Sequence, residues 1–269
     1  MLHIYIVSLK QDIERRKVIS KALENFGLKF SFIDAVYGKE LSEEVVSSIR
    51  SISTGKVIDR GYALTPGEIG CTLSHLMAYQ DILDNDVEWA CILEDDVFLD
   101  KRFKIFINTF QATELNPESL YLLGGQNGLD EAQIIKSIKN IKNVGGQEFS
   151  KAIKSEQFVK RTCCYLISSI LAENLIKLSQ TNFILADDWN YLVKNNVIKK
   201  IYLSEFVDHP LDLSKSHLQE ERELAASKKY SGPTHGKSSF AVKVKSTLNP
   251  RLRLLALRFY RYIENKEAI

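Results

Sequence analysis

The 269-residue sequence lacks any apolar run approaching the roughly 20 residues a membrane helix needs, which argues against a spanning segment. It lacks an excess of either charge: 36 Lys and Arg stand against 34 Asp and Glu. That balance argues against a dedicated nucleic-acid binder, whose footprint is basic. Cysteine is scarce. The four thiols, Cys71, Cys91, Cys163 and Cys164, sit in apolar contexts without zinc-ligand spacing. The adjacent pair reads as buried thiols rather than a disulfide, which fits a reducing, cytoplasmic setting. The opening MLHIYIVSLKQDIERRK has no basic n-region and no small-residue cleavage site, so it reads as a first strand rather than a signal peptide. No internal repeat is visible. What remains is an ordinary globular balance, 45% hydrophobic and 26% charged, in a chain long enough to bury a sizeable core.

The pattern then alternates. HIYIVSL (3–9) predicts a strand; a charged helix follows over about 12–26, with Ile13, Ile19, Leu23 and Phe26 on its apolar face and Gly27 ending it. KFSFIDAV (29–36) predicts a second strand. This strand–helix–strand opening marks an α/β sheet. Thr65, Pro66 and Glu68 form a complete helix start, a capping residue, a first-turn proline and a capping-box acid. EWACIL (88–93) reads as a fully buried central strand, SLYLLGG (119–125) and TCCYLIS (162–168) as further strands, and VIKKIYLS (197–204) as a late one. Residues 126–155, polar and Lys-rich, read as loops and a flap.

Glu94, Asp95 and Asp96 follow the buried strand directly. Crowded carboxylates at the end of an apolar strand are costly unless something pairs with them. They either stop the strand in water or hold a hard divalent cation, Mg²⁺ or Mn²⁺, at the sheet edge where α/β proteins bind ligands. The apolar pair Val97-Phe98 just after them favours the cation.

IYIVSLKQDIERRK, FIDAVYGKEL, LTPGEIGCTLSHLMAYQDIL, ILEDDVFL and, more loosely, ADDW resemble glycosyltransferase family 25, the lipooligosaccharide glycosyltransferases of Gram-negative bacteria. The resemblance implies a GT-A type, Rossmann-like nucleotide-sugar-binding fold, a mixed, mostly parallel sheet flanked by helices. It also implies a UDP-sugar donor, in many members UDP-galactose, and metal-assisted inverting transfer onto a saccharide. Asp96, with Asp95 beside it, is then the expected metal contact, and Glu94 and Asp95 would serve the ribose, water ligands or the metal's outer shell. Val7, Ser8 and Leu9 would line the base pocket. Arg16 or Arg15 would reach the base or phosphates, Asp34 the ribose or base, and His75 a donor-site or structural hydrogen bond. An inverting displacement also needs a base across the sugar from the metal. Asp188, ahead of Asp187, is expected in that role, although either acid also suits a helix N-terminus. His209 and His235 lie where some GT-A enzymes supply another metal ligand.

The expected division is a glycosyltransferase domain over 1–236, its donor half about 1–125 and its acceptor half 126–236, followed by a basic tail over 237–269. The segment FAVKVKSTLNPRLRLLALRFYRYI carries cations and no acid, a pattern suited to the anionic inner face of a membrane near a lipid-linked acceptor. The whole reads as a hexosyltransferase of lipooligosaccharide assembly, cytoplasmic and peripheral on the inner membrane. A hydrolase using the acid clusters, or a non-catalytic sugar-nucleotide-binding partner, are the competing classes.

Overall fold

A computed structural model describes residues 2–57, 62–113, 115–211 and 217–227. The basic tail and His235 lie outside the described residues. Strands β1 (His3–Ser8), β2 (Ser31–Asp34), β3 (Trp89–Glu94), β4 (Phe98–Leu99), β5 (Leu120–Gly124), β6 (Ser137–Val144), β7 (Gln147–Ala152), β8 (Cys164–Ser168) and β9 (Ile201–Asp208) form one sheet. Its order is β2-β1-β3-β8-β5-β9-β7-β6, with β4 paired to β9. Strands β2, β1, β3, β5, β9 and β6 point one way, and β8, β7 and β4 run against them. The expected mixed, mostly parallel α/β sheet is the one observed, with six of its nine described strands pointing one way.

The helices are α1 (Ile13–Asn25), α2 (Glu43–Ser51), α3 (Pro66–Asp84), α4 (Lys101–Thr109), α5 (Ser169–Ser179), α6 (Trp189–Lys194) and α7 (His217–Ser227). Two large apolar clusters contain strand residues, one with Ile4, Ile6, Cys91 and Leu93, the other with Tyr5, Val7, Ala90 and Ile92. This odd–even division is what a strand buried on both faces requires. Helix α1 buries Ile19 and Leu23, but Ile13 is 68% exposed, so the apolar face is shorter than its pattern suggests. Helix α3 starts as expected: Thr65 accepts from the Glu68 N–H, Glu68 reaches back to the Thr65 N–H, and Pro66 opens the first turn.

Residues 126–155 depart from the loop-and-flap expectation. They contain the β6–β7 hairpin, which joins the sheet through β9. Its turn, Gly145-Gly146, has φ of 54° and 73°, the left-handed conformations a tight hairpin turn favours. Lysines and asparagines mask β6 because it is an edge strand, where charge protects against further pairing. Helices α2 and α4 also lay unrecognised in polar sequence. The late strand runs on to Asp208, past the point where the chain turns polar, and α7 follows it. Helix α7 returns to the start of α3: Arg222 Nε donates to buried Glu68 Oε1 at 2.9 Å, and the Gly67 N–H donates to Glu221 Oε2 at 2.8 Å. Among the described residues, no helix is long and apolar enough to cross a membrane.

Candidate active site

The carboxyl ends of β1, β3, β5 and β9 lie on the same edge of the sheet, and most of the expected residues meet there. Ser8 ends β1 and Glu94 ends β3, with Val7 paired opposite Glu94 in register. Asp95 and Asp96 follow in the turn. Buried Ser8 donates its hydroxyl to Asp95 Oδ2 at 2.6 Å. From the first turn of α1, Arg15 Nη1 donates to Asp95 Oδ1 at 3.2 Å and stands 3.5 Å from Asp96 Oδ2. Arg16 is a local fastener. It donates to the Ser8 carbonyl at 2.7 Å, the Leu9 carbonyl at 3.1 Å and Asp34 Oδ1 at 2.6 Å, with its guanidinium over the Phe32 ring.

The three acids differ electrostatically. Burial, then the charge of Glu94, pushes Asp96 up to about 6, against the pull of His209 and Arg15. Burial also raises Asp95, opposed by Ser8 and Arg15. Burial pushes Glu94 upward too, but the neighbouring His75, whose Nε2 stands 3.7 Å from its Oε1, and the Thr162 hydroxyl donating to that oxygen hold it below the usual carboxylate range. Opposite the triplet, just past β9, His209 Nδ1 donates to the Pro210 carbonyl at 2.8 Å, and its Nε2 stands 3.7 Å from Asp96 Oδ1.

Asp96 Oδ1 is buried and has no hydrogen-bond partner among the described residues. One ligand atom each from Glu94, Asp96 and His209 lies within 4.8 Å of the others. An orphaned buried carboxylate oxygen facing a second carboxylate and an imidazole is a donor set that suits a divalent cation such as Mn²⁺. His75, one turn into the middle of α3, is fully buried: its Nδ1 lies 2.7 Å from the Tyr165 hydroxyl, which lies 2.9 Å from that of Tyr79.

The second acidic pair sits beside the first. The consecutive residues Arg161 and Thr162 hold one acid each: the Arg161 N–H donates to Asp187 Oδ2 at 3.3 Å while Thr162 binds Glu94. Burial pushes Asp187 up, but its ion pair with Lys56 wins and brings it down to about 2. Asp188, 3% exposed, caps α6 by accepting from the Tyr191 N–H at 3.2 Å, and its other oxygen accepts from the Lys56 N–H at 2.6 Å. Gly55, at φ 78°, leaves room for that oxygen, since a Cβ there would fall 2.3 Å from it. Both acids line a pocket with Lys56, Glu156, Lys160 and Trp189.

The cysteine pair now has a structural setting. Both residues are buried in β8 or its approach, and all four thiols are free. Cys163 fills the space that a side chain at Gly125 would need, a Cβ there falling 2.2 Å from its sulfur. Cys164 meets Cys91 diagonally across the β3–β8 pairing, the two sulfurs 4.0 Å apart. Sequence reasoning missed Lys56 and Thr162, which lie far along the chain from the acids they bind, and Tyr165 and Tyr79, which form a hydroxyl chain behind His75.

Acids at the carboxyl edge of an α/β sheet stand where such folds bind ligands. The profile of Glycosyltransferase family 25 (LPS biosynthesis protein) matches residues 1–191, and the chain belongs to that family. It is 27% identical over 153 residues to procollagen galactosyltransferase 1-B of Xenopus laevis, covering 55% of this chain and 25% of that one. The chain thus spans about a quarter of the length of this relative. A Haemophilus influenzae chain bearing a provisional glycosyltransferase name is 25% identical over 261 residues, covering 91% of this chain and 83% of its own. Among solved structures, a glycosyltransferase involved in the glycosylation of the major capsid of PBCV-1 aligns over 76% of this chain and 82% of its own, at 10% identity and a TM-score of 0.36.

Proposed function

We propose that this glycosyltransferase is metal-dependent and inverting. It moves a hexose, galactose from UDP-galactose, onto a saccharide acceptor of lipooligosaccharide. The observation that carries the reading is the orphaned Asp96 Oδ1, facing His209 and close to Glu94. Glu94, Asp96 and His209 would hold Mn²⁺ or Mg²⁺, with Asp95 behind them, fixed by Ser8 and Arg15. The cation, when bound, supplies charge stabilisation for the diphosphate leaving group.

The chain's own groups supply the rest. Val7, Ser8 and Leu9 form the floor of the donor pocket, and Arg16 with Asp34 fixes its rim. Arg15 lies close enough to the acids to move onto the donor phosphates once a cation replaces it. Of the two acids suited to take the acceptor proton, Asp187 is the more available. Asp188 has both oxygens bound to main-chain N–H groups, whereas the side-chain partner of Asp187 is a flexible lysine. When Lys56 swings to an anionic ligand, Asp187 loses its counter-charge and becomes a better base. The tail over 237–269 would serve as a peripheral membrane anchor, and the catalytic domain would run to about 236.

The deciding experiment is UDP-galactose turnover with Mn²⁺, with and without a terminal glucoside or N-acetylglucosaminide, for the parent protein and Asp96→Asn. The reading expects acceptor-dependent UDP release that Asp96→Asn abolishes while the circular dichroism spectrum stays unchanged. Equal release without acceptor would favour a hydrolase, and metal-dependent binding without turnover a non-catalytic binder.

A further inference from the structure

Cys71 and His75 lie one helical turn apart on α3 and so project from the same face. That face looks at the end of β3. One ligand atom each from Cys71, His75 and Glu94 lies within 4.8 Å of the others, and the His75 Nε2–Glu94 Oε1 distance is 3.7 Å. His75 is 1% exposed, and its Nε2 is buried without a hydrogen-bond partner among the described residues. Its other nitrogen is held by Tyr165 at 2.7 Å. With Nδ1 at that hydroxyl, Nε2 is the ring nitrogen left to face Glu94 and Cys71. A ring fixed through one nitrogen with the other left open is the arrangement metal-binding histidines use.

We propose that Cys71, His75 and Glu94 form a second cation site, one for a borderline transition metal of the zinc type rather than the hard cation of the transfer reaction. A thiol, an imidazole and a carboxylate are the ligand kinds zinc takes, with bonds of about 2.0–2.3 Å. Tetrahedral angles at those lengths put ligand atoms roughly 3.3–3.8 Å apart, so the His75–Glu94 pair already has the required spacing. The Cys71 sulfur lies within 4.8 Å of both.

On binding, the Cys71 proton passes to solvent and the thiolate becomes the ligand. Glu94 is common to this group and to the group with Asp96 and His209, so the two cations draw on the same carboxylate. The inference does not depend on the proposed function, since the ligand set is read from α3 and β3 alone.

Cobalt(II) tests it, because a cobalt–thiolate bond gives an intense near-ultraviolet charge-transfer absorption. The reduced, full-length protein titrated with Co²⁺ should develop that band, saturating at one equivalent, and Zn²⁺ should bleach it. Cys71→Ser should abolish the band with an unchanged circular dichroism spectrum, and Asp96→Asn, which alters only the other group, should retain it. Absence of the band in the parent protein overturns the proposal. So does its persistence in Cys71→Ser, which would assign it to another thiol, or its loss in Asp96→Asn.

Discussion

Arg15 faces two carboxylates at once, its Nη1 lying 3.2 Å from Asp95 Oδ1 and 3.5 Å from Asp96 Oδ2. A cation from the chain therefore stands among the acids that the proposed metal would also neutralise. Removing it leaves crowded negative charge. Arg15→Gln should lower metal-free stability by about 1 kcal/mol, the upper range for partly exposed pairs. Added Mn²⁺ should recover more stability in this variant than in the parent. Urea unfolding with and without Mn²⁺ measures both, and identical midpoints for the two proteins would remove the role given to Arg15.

Asp96 makes metal-free stability fall as pH rises. Its carboxyl is pushed up to about 6 in the folded protein, by burial first and Glu94 second, against an ordinary value of 3.8. Between those values the folded state holds the extra proton. Stability therefore declines across that window and stays reduced above it, by an amount on the order of 3 kcal/mol. Metal-free Asp96→Asn should melt higher than the parent near pH 7, and the gap should close near pH 4. Mn²⁺ should raise the melting temperature of the parent only. A pH-independent difference between the two would contradict the shift.

Asp187 behaves oppositely. Burial alone would raise it, but Lys56 brings it down to about 2, so the ion pair stabilises the fold above the ordinary carboxylate range and ceases to do so as pH falls toward 2. Lys56→Met should cost about 1–2 kcal/mol at neutral pH, because it leaves a carboxylate largely out of water without its partner. The double variant Lys56→Met with Asp187→Asn should be less destabilised than the single lysine change, a coupling that a double-mutant cycle in urea reads directly.

The neighbouring acids should separate kinetically. Asp187→Asn should lower kcat by roughly 10²–10⁴-fold, the range for loss of a general base, with an unfolding midpoint lowered only by the lost Lys56 ion pair. Asp188→Asn cannot accept from both the Lys56 and Tyr191 N–H groups, so it should act chiefly on stability, by about 1–2 kcal/mol. A large kcat loss in Asp188→Asn alone, with stability intact, would reverse the assignment.

Gly70 permits the close approach of α3 to the exit of β2. A Cβ there would lie 2.5 Å from the Val36 carbonyl oxygen and 2.8 Å from the Gly38 nitrogen. The same contact brings the Val36 N–H to Ser74 Oγ at 2.9 Å. Gly70→Ala should cost about 1–3 kcal/mol by overpacking, despite alanine's better helix propensity. A stabilised variant in urea unfolding would show that the loop yields.

The sequence made the first half of this architecture legible because its signals were local. The capping box at Thr65 and Glu68, the apolar run into Glu94 and the glycine stop at Gly27 each lie within a few residues and have one physical reading. The hairpin after Gly128 was hidden by edge-strand lysines, although Gly145-Gly146 was the available clue. In the site, the acids announced themselves by crowding. Their partners did not: Thr162 reaches Glu94, and Lys56 reaches Asp187, across long stretches of chain. Cys71 and His75 were spaced by one helical turn, but the third group, Glu94, comes from a different element, and only packing shows that the three converge. His75 is buried because α3 is covered on several faces.

The ion pair between Arg222 and Glu68 bears on how much chain is needed to fold. The family match ends at residue 191, yet Glu68, sealed under the first turn of α3, finds its counter-ion thirty-one residues beyond that point. Helix α7 is thus a returning clasp, and the ion pair it closes belongs to the very helix that presents Cys71 and His75. A fragment trimmed to the recognisable family region would lose that pair.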